Sequence, residues 1–421
     1  MPRSLEAALP APEASSPGLP AEHFGAALAY YACGAVGLVW VAPDLAGGAF
    51  HLPRVVAVVH LFTLGWIVLS IFGALCQFLP VAVGRPMRSR VAAHVAFGAQ
   101  TIGVGCFVLA LLGGSRGLLH AGAGALAIAF LTFAINLVST LSPVTDRSLT
   151  WWALAGSAVF LVLTPAYGVL LALGLHDGSL VADRFAVVAQ HAHIAIVGFV
   201  LLVMVGVAHR LLPMFLLSHG GSERPAWLAV GFLFASAALL SVPVTSGARL
   251  AIAGALGSAG VVAFIVQAAT FYRHRKRRTI DVGMRLAGAG VIALAAAVLL
   301  APLALGRGLA DLRLLTTYFV VLLGAVTLFI AGHYYKIVPF IVWYHRFGPF
   351  VGKRKVPKVS ELFSNRVATI DAALLSLGWL GLATSTLLGA PLLARASAVV
   401  FAGGALLQAV VVAQIARRRL A

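Results

Sequence analysis

Long apolar segments constrain the fold of this chain more than any other feature of its sequence. A helix needs about 20 mostly apolar residues to cross the hydrocarbon core of a bilayer. Twelve segments meet this length, at residues 24–43, 54–82, 91–113, 117–141, 152–175, 185–217, 226–244, 249–272, 283–305, 313–344, 367–389 and 393–416. Of the 421 residues, 61% are hydrophobic and only 10% are charged. The sequence therefore predicts an all-α integral membrane protein with twelve transmembrane helices.

The basic residues indicate how these helices are oriented. The net charge of +18 is not spread over a soluble face, as nucleic-acid binding would favour, but gathers in short stretches after even-numbered spans. These stretches contain Arg85, Arg88 and Arg90; Arg273, Arg275, Lys276, Arg277 and Arg278; Lys353, Arg354, Lys355, Lys358 and Arg366; and Arg417, Arg418 and Arg419. Because basic loops stay on the cytoplasmic side, we expect a multi-pass protein of a bacterial-type cytoplasmic (inner) membrane with both termini in the cytoplasm. Its surroundings are the lipid bilayer, and no nucleic acid is expected.

The chain divides into a short tail and one membrane domain. Residues 1–22 contain three glutamates and five prolines and no apolar core, which favours a flexible cytoplasmic tail over a signal peptide. Residues 23–421 form the predicted transmembrane domain. Its three cysteines lie inside spans and form no C-x-x-C pair, which argues against disulfides, zinc knuckles and covalently attached c-type haem.

Three of the spans align with one another without gaps. They read "HLFTLGWIVLSIFGALCQFLP" from His60, "HIAIVGFVLLVMVGVAHRLLP" from His193 and "FVVLLGAVTLFIAGHYYKIVP" from Phe319. Three columns match, namely Gly65, Gly198 and Gly324; Gly73, Gly206 and Gly332; and Pro80, Pro213 and Pro339. The second, sixth and tenth spans are then equivalent members of three four-helix units, at roughly 23–141, 152–272 and 283–417. The alternative is three similar but unrelated glycine-rich spans.

Two histidines occur two residues apart in the sixth span, within "AQHAHIAIVGF". Residues i and i+2 of an α-helix point about 200° apart, so His191 and His193 cannot share one metal ion but could each serve a different cofactor. His60 lies on the order of 10 Å below the outer end of its helix, and the alignment places His193 at the same depth. The two could hold a haem iron from both sides, with His191 facing the next gap. The alternative is that these histidines are hydrogen-bonding groups between helices.

Other ionisable residues give weaker indications. His120, near the outer end of the fourth span, is a further candidate metal ligand, and His51 and His176 are expected in outer loops within reach of a haem propionate. Histidines near the inner ends, such as His209 and His333, indicate either interfacial side chains or a polar path for protons. The acidic residues are placed in the tail, in loops or near helix ends, which argues against a proton pump or a cation-coupled transporter.

The helix count, the three units and the H-x-H pattern resemble subunit I of the haem-copper oxidases and nitric oxide reductases. This resemblance implies that His60 and His193 ligate a low-spin haem b and that His191 ligates a second haem. The chain departs from that family because its histidine pair is in the sixth span, while Phe319 occupies the equivalent place in the tenth. It also lacks the family's copper-ligand histidine pair in the seventh span, so the resemblance names no ligands for a copper ion in this chain.

A second resemblance is to the NnrS-type membrane proteins, which have about this length and helix count and are implicated in nitric oxide stress. It rests on "HLFTLGWIVLSIFGALCQFLPVAVGRPM", in which a helix with histidine and glycine leads to Gly84, Arg85 and Pro86. Together, the resemblances imply a protein that binds one or two haem b groups and acts in electron transfer or in the binding or detoxification of nitric oxide or oxygen. The alternatives are a small-molecule permease without cofactor and a cofactor-free structural or assembly subunit.

Overall fold

The computed structural model describes residues 17–175, 180–181, 183–242 and 247–419, and within these ranges the chain is helical with no β-strand. The main helices are α1 (Gly18–Ala46), α2 (Pro53–Val83), α3 (Arg90–Gly113), α4 (Arg116–Leu141), α5 (Leu149–Leu173), α6 (Arg184–Leu216), α7 (Arg224–Leu240), α8 (Gly247–Arg273), α9 (Val282–Arg307), α10 (Leu312–Arg346), α11 (Asn365–Leu388) and α12 (Pro391–Arg417).

Eleven of these helices are long and apolar enough to cross a membrane, as expected for a multi-pass membrane protein. The exception is α7, an apolar helix of 17 residues at the place of the predicted span 226–244. Residues 243–246, which follow it closely, lie outside the described ranges. At the other end of the chain, α1 begins at Gly18, so the last residues assigned to the flexible tail are helical. Residues 1–16 of that tail are outside the described residues.

The three helices that align in sequence are the three most buried in the structure. In the most apolar window of α2, α6 and α10, 72%, 78% and 67% of the residues are buried. The corresponding share in the other long helices is 33–50%. Because a helix that is apolar all round and buried belongs to the centre of a bundle, α2, α6 and α10 form the core and the other helices surround them.

The outer helices follow a regular order of neighbours. Helix α1 packs on α2, α5 on α6, and α9 on α10, while α3 pairs with α4, α7 with α8, and α11 with α12. Contacts of α4 with α5, α8 with α9, and α12 with α1 join these groups. The order of neighbours therefore recurs every four helices, and the bundle closes on itself where α12 meets α1.

The aligned glycines lie where neighbouring helices approach most closely. A Cβ atom added to Gly73 would lie 2.7 Å from Cβ of His23 in α1, and one added to Gly206 would lie 2.8 Å from Cβ of Ala153 in α5. At Gly332 it would overlap the carbonyl oxygen of Gly283 in α9. The glycines of the other column are covered by aromatic rings: Gly65 by Tyr30, Gly198 by Phe160 and Gly324 by Trp379. These positions thus accommodate protein groups, as small residues do between membrane helices.

An apolar cavity of about 70 Å³ lies among the three central helices. Its wall contains residues at equal positions in the three aligned segments: Ser70, Val203 and Phe329; Ile71, Met204 and Ile330; and Ala74, Val207 and His333. These positions are spaced i, i+1 and i+4 and therefore form one face of each helix. Residues at aligned positions of α2, α6 and α10 thus line one cavity.

Candidate histidine site at the central helices

His60 is fixed by its own helix. Its Nδ1 lies 2.7 Å from the carbonyl oxygen of Val56, one turn earlier in α2. Because a carbonyl oxygen only accepts hydrogen bonds, Nδ1 carries the proton and Nε2 presents a lone pair. The ring centroid is 5.0 Å from that of Phe107 in α3. The side chain is half-buried.

His193, at the aligned position of α6, has the same local arrangement. Its Nδ1 donates to the carbonyl oxygen of Ala189 at 2.8 Å. Its Nε2 therefore accepts from the hydroxyl of Tyr318 in α10, with the two atoms 3.3 Å apart. The ring also lies edge to face with Phe319, at a centroid distance of 5.5 Å. His193 thus faces α10.

Both histidines immediately precede a distorted stretch of helix. Residues Leu61–Val68 and Ile194–Leu201 form π-helix, each eight residues long and at the same place in the alignment. π-Helical turns are rare and are frequent at functional sites. The corresponding part of α10 is regular α-helix. In the described chain, π-helix therefore follows each of the two histidines and does not follow Phe319, the residue at the aligned position of α10.

His191 faces a different side of α6 from His193. A Cβ atom on Gly168 of α5 would lie 3.3 Å from its Cε1, and its ring interacts with the backbone of Thr164. Its Nδ1 is buried and has no hydrogen-bond partner among the described residues. His191 also lies within electrostatic range of His60. His191 therefore has different surroundings from His193.

The assignment of His60, His191 and His193 to haem groups stays a prediction. The sequence predicts that His60 and His193 face one gap and that His191 faces the next. In the structure, His191 lies against Gly168 of α5, whereas Nε2 of His193 accepts a hydrogen bond from Tyr318 of α10. Tyr318 could not be predicted as a partner, because the alignment compares Phe319 with the two histidines and does not determine the rotation of α10 about its own axis.

The remaining predicted ligands do not complete a metal centre. His120 lies half-buried near the start of α4, where it makes an interaction with its surroundings. His51, in the loop after α1, is exposed and lies against the rings of Phe50 and Phe185, while His176 lies outside the described residues. In the described ranges, no three His, Cys, Asp or Glu side chains are grouped so that they could hold a metal ion. The structure thus shows no copper-type site there, whereas a haem iron requires at most two protein ligands.

Asp371 is the acidic residue that the sequence places most nearly inside the membrane. It lies six residues after Asn365, the first residue of α11. It is nevertheless completely buried. Position along the chain did not reveal this, because other helices cover the start of α11.

No protein-family model matches the chain, and no curated protein matches it either. The resemblances to haem-copper oxidase subunit I and to NnrS-type proteins therefore rest on the residues quoted above.

Proposed function

We propose that this chain is a haem-binding membrane protein that acts in electron transfer or in the binding or detoxification of nitric oxide or oxygen. The observation that carries the proposal is the group of histidines at the start of the buried parts of α2 and α6, in which His60 and His193 occupy aligned positions and His191 lies within electrostatic range of His60. In both His60 and His193, Nδ1 is fixed by a carbonyl oxygen one turn earlier, and Nε2 points away from its own helix.

This geometry fits the coordination chemistry of haem. A histidine that binds iron usually donates its other ring N–H to a carbonyl or carboxylate, which fixes the ring and its tautomer. His60 meets this requirement. His191 lies within electrostatic range of His60 and has an unpartnered ring nitrogen within the described structure. We therefore assign His60 and His191 as the residues that would hold a first haem.

His193 takes a different place in this proposal. Its Nε2 is engaged by Tyr318, so it would have to exchange that hydrogen bond for an iron. We assign it to a second haem, or to a hydrogen bond that holds α10 against α6. A bound haem would supply the redox chemistry and the affinity for diatomic gases. The protein supplies the ligands, fixes their orientation and surrounds them with apolar side chains.

The fold we propose has twelve transmembrane helices in three four-helix units, as in haem-copper oxidase subunit I, with α7 as the seventh span. Three features support it: the burial of α2, α6 and α10, the order of neighbours that recurs every four helices, and the matching positions around the central cavity. A permease for a polar solute is less well supported, because the wall of that cavity is almost entirely apolar.

The test is the visible spectrum and haem content of the purified protein and four variants. The wild type should show a Soret band and a sharp reduced α-band, and His60→Ala should lose the low-spin signal because it removes one ligand of the iron. His191→Ala should lose the same signal, and His193→Ala should retain it. His94→Ala is the control, because His94 is an exposed residue paired with Glu22 far along the chain from these histidines.

Two outcomes would overturn the proposal. A wild-type protein without a Soret band, expressed with sufficient haem, would favour a permease or a structural subunit. Full haem content in His60→Ala would show that this histidine is a packing group. A third outcome concerns the ligands alone. If His193→Ala loses the signal and His191→Ala keeps it, the protein binds haem through His60 and His193, the pair that the resemblance implies, and not through His60 and His191.

A further inference from the structure

Asp371 is a carboxyl group enclosed by other helices. Its side chain has 0% of its surface exposed. The hydroxyl of Tyr335 in α10 donates to its Oδ2 at 2.6 Å, while its Oδ1 has no partner among the described residues. No ion pair of Asp371 is found in the described chain, since Lys336 of α10 pairs with Asp281 at 2.7 Å. The carboxyl group is thus buried with one hydrogen bond and no counter-ion.

Gln408 lies opposite Asp371 across the interface of α11 and α12. The register follows from two close approaches, because Gly378 meets the backbone of Phe401 and Gly404 meets the backbone of Leu375. In this antiparallel register, residue 371 is level with residue 408. Both side chains are fully buried.

The orientation of the Gln408 amide is fixed. Its Nε2 donates to the carbonyl oxygen of Ala331 in α10 at 3.0 Å. Because a carbonyl oxygen only accepts hydrogen bonds, the amide oxygen of Gln408 could not take the place of Nε2. The amide oxygen, Oε1, is therefore correctly placed, and it is buried without a partner in the described structure. Two acceptor oxygens, Oδ1 of Asp371 and Oε1 of Gln408, thus face the same interface without a donor.

The ionisable groups around Asp371 do not supply the missing positive charge. On α1, Tyr31 is fully buried within electrostatic range of Asp371, and its hydroxyl has no partner among the described residues. On α9, Arg285 is turned to the hydroxyl of Thr369. The other neighbours are Tyr335 on α10 and the uncharged Gln408 on α12. Among the residues that the structure describes, the site therefore offers two unpaired acceptors and one spare donor, the hydroxyl of Tyr31.

A buried charge with no partner is expensive, and it is more costly still in a membrane protein. Either a proton or a bound cation must neutralise Asp371. Hard cations such as Mg²⁺ and Ca²⁺ take six or more oxygen ligands, but around Asp371 the described residues offer three unpartnered oxygens, from Asp371, Gln408 and Tyr31. We propose that Asp371 is a proton-binding site, in which an O–H at Oδ1 donates to Oε1 of Gln408 while Oδ2 accepts from Tyr335.

Infrared spectroscopy of the purified full-length protein tests this directly. The wild type at neutral pH should show the C=O stretching band of a protonated carboxylic acid, with a downshift in D₂O. Asp371→Asn should remove this band. Glu361→Gln, which changes an exposed carboxylate, should retain it. Tyr335→Phe should move it to higher frequency, because Oδ2 loses a hydrogen bond.

The Tyr335→Phe shift keeps the test independent of folding, since a merely structural role would not move the band. Absence of the band in the wild type, or its persistence in Asp371→Asn, would overturn the proposal. A salt-specific change in thermal stability would also overturn it. This would be a rise of the thermal midpoint with NaCl, but not with choline chloride at equal ionic strength, that occurs in the wild type and not in Asp371→Asn. That result would assign the site to sodium. None of these measurements depends on haem binding.

Discussion

Gly332 shows how little space separates the central helices from their neighbours. A Cβ atom at this position would overlap the carbonyl oxygen of Gly283 and would lie 2.6 Å from the amide nitrogen of Ala287. Both obstacles are backbone atoms of α9, so no side-chain rotation can relieve the contact. The third aligned segment thus needs glycine here because two backbones touch.

Gly332→Ala should therefore destabilise the protein. Overpacking of this kind typically costs about 1–3 kcal/mol, so the midpoint of thermal unfolding in detergent should fall. Gly98→Ala in α3 is the matched control, since a Cβ atom there meets nothing within 4 Å in the described structure, and alanine is the better helix former. Equal midpoints for the two variants would show that α9 and α10 are not in backbone contact.

The sequence predicted that these residues matter, but not what they contact. The alignment identified the glycine columns and the histidines because it reports equivalent positions. It could not show that Gly324 lies against Trp379 of α11, or that His193 faces Tyr318. Such contacts depend on the rotation and tilt of each helix, which a pattern of apolar residues does not determine when the helix is apolar on all sides.

At the scale of elements, Asp281 connects two helices at once. Its Oδ1 accepts from the amide of Met284 at 3.1 Å and so caps α9, while its Oδ2 accepts from Nζ of Lys336 in α10 at 2.7 Å. Asp183 caps α6 through the amide of Ala186 at 3.0 Å. No ion pair of Asp183 is found among the described residues. The two aspartates therefore differ in whether they also bind a second helix.

Asp281→Ala should consequently lower the free energy of unfolding more than Asp183→Ala. Loss of a cap costs about 1 kcal/mol, and loss of a partly exposed ion pair adds up to about 1 kcal/mol. Unfolding of both variants in detergent at low and high salt measures this difference. The excess loss in Asp281→Ala should shrink at high salt, because ions screen the pair. A difference that is absent at low salt would mean that Lys336 contributes nothing through Asp281.

Most helices could be placed from hydropathy alone, because long apolar segments leave few other structures in a bilayer. Their ends and internal geometry could not. The distortions at Leu61–Val68 and Ile194–Leu201 have the same apolar composition as regular helix, so only coordinates reveal them. Helix α7 also ends earlier than the apolar segment that predicted it. The complete burial of Asp371 could not be predicted, because it depends on the other helices that cover the start of α11.

At the scale of the whole molecule, the basic stretches after α8 and α12 each meet the end of another even-numbered helix. Ser218, after α6, forms an isolated β-bridge with Arg275, after α8. Arg346, at the end of α10, donates to the carbonyl oxygen of Arg418 after α12, at 2.7 Å. The ends of these four even-numbered helices thus meet in pairs, as expected if all of them lie on one side of the membrane. Because positively charged loops are retained on the cytoplasmic side, this end should be cytoplasmic.

Reporter fusions test this orientation. Truncations after Arg88 and after Lys276 should give a fluorescent GFP fusion and an inactive alkaline phosphatase fusion, since both residues are exposed in basic stretches at the ends of α2 and α8. A fusion after Ser115, an exposed residue between α3 and α4, should give the reverse result. The opposite pattern at all three sites would mean that the protein has the inverted orientation in the membrane. Different results for Arg88 and Lys276 would mean that an odd number of spans separates them, and in that case α7 does not cross the bilayer.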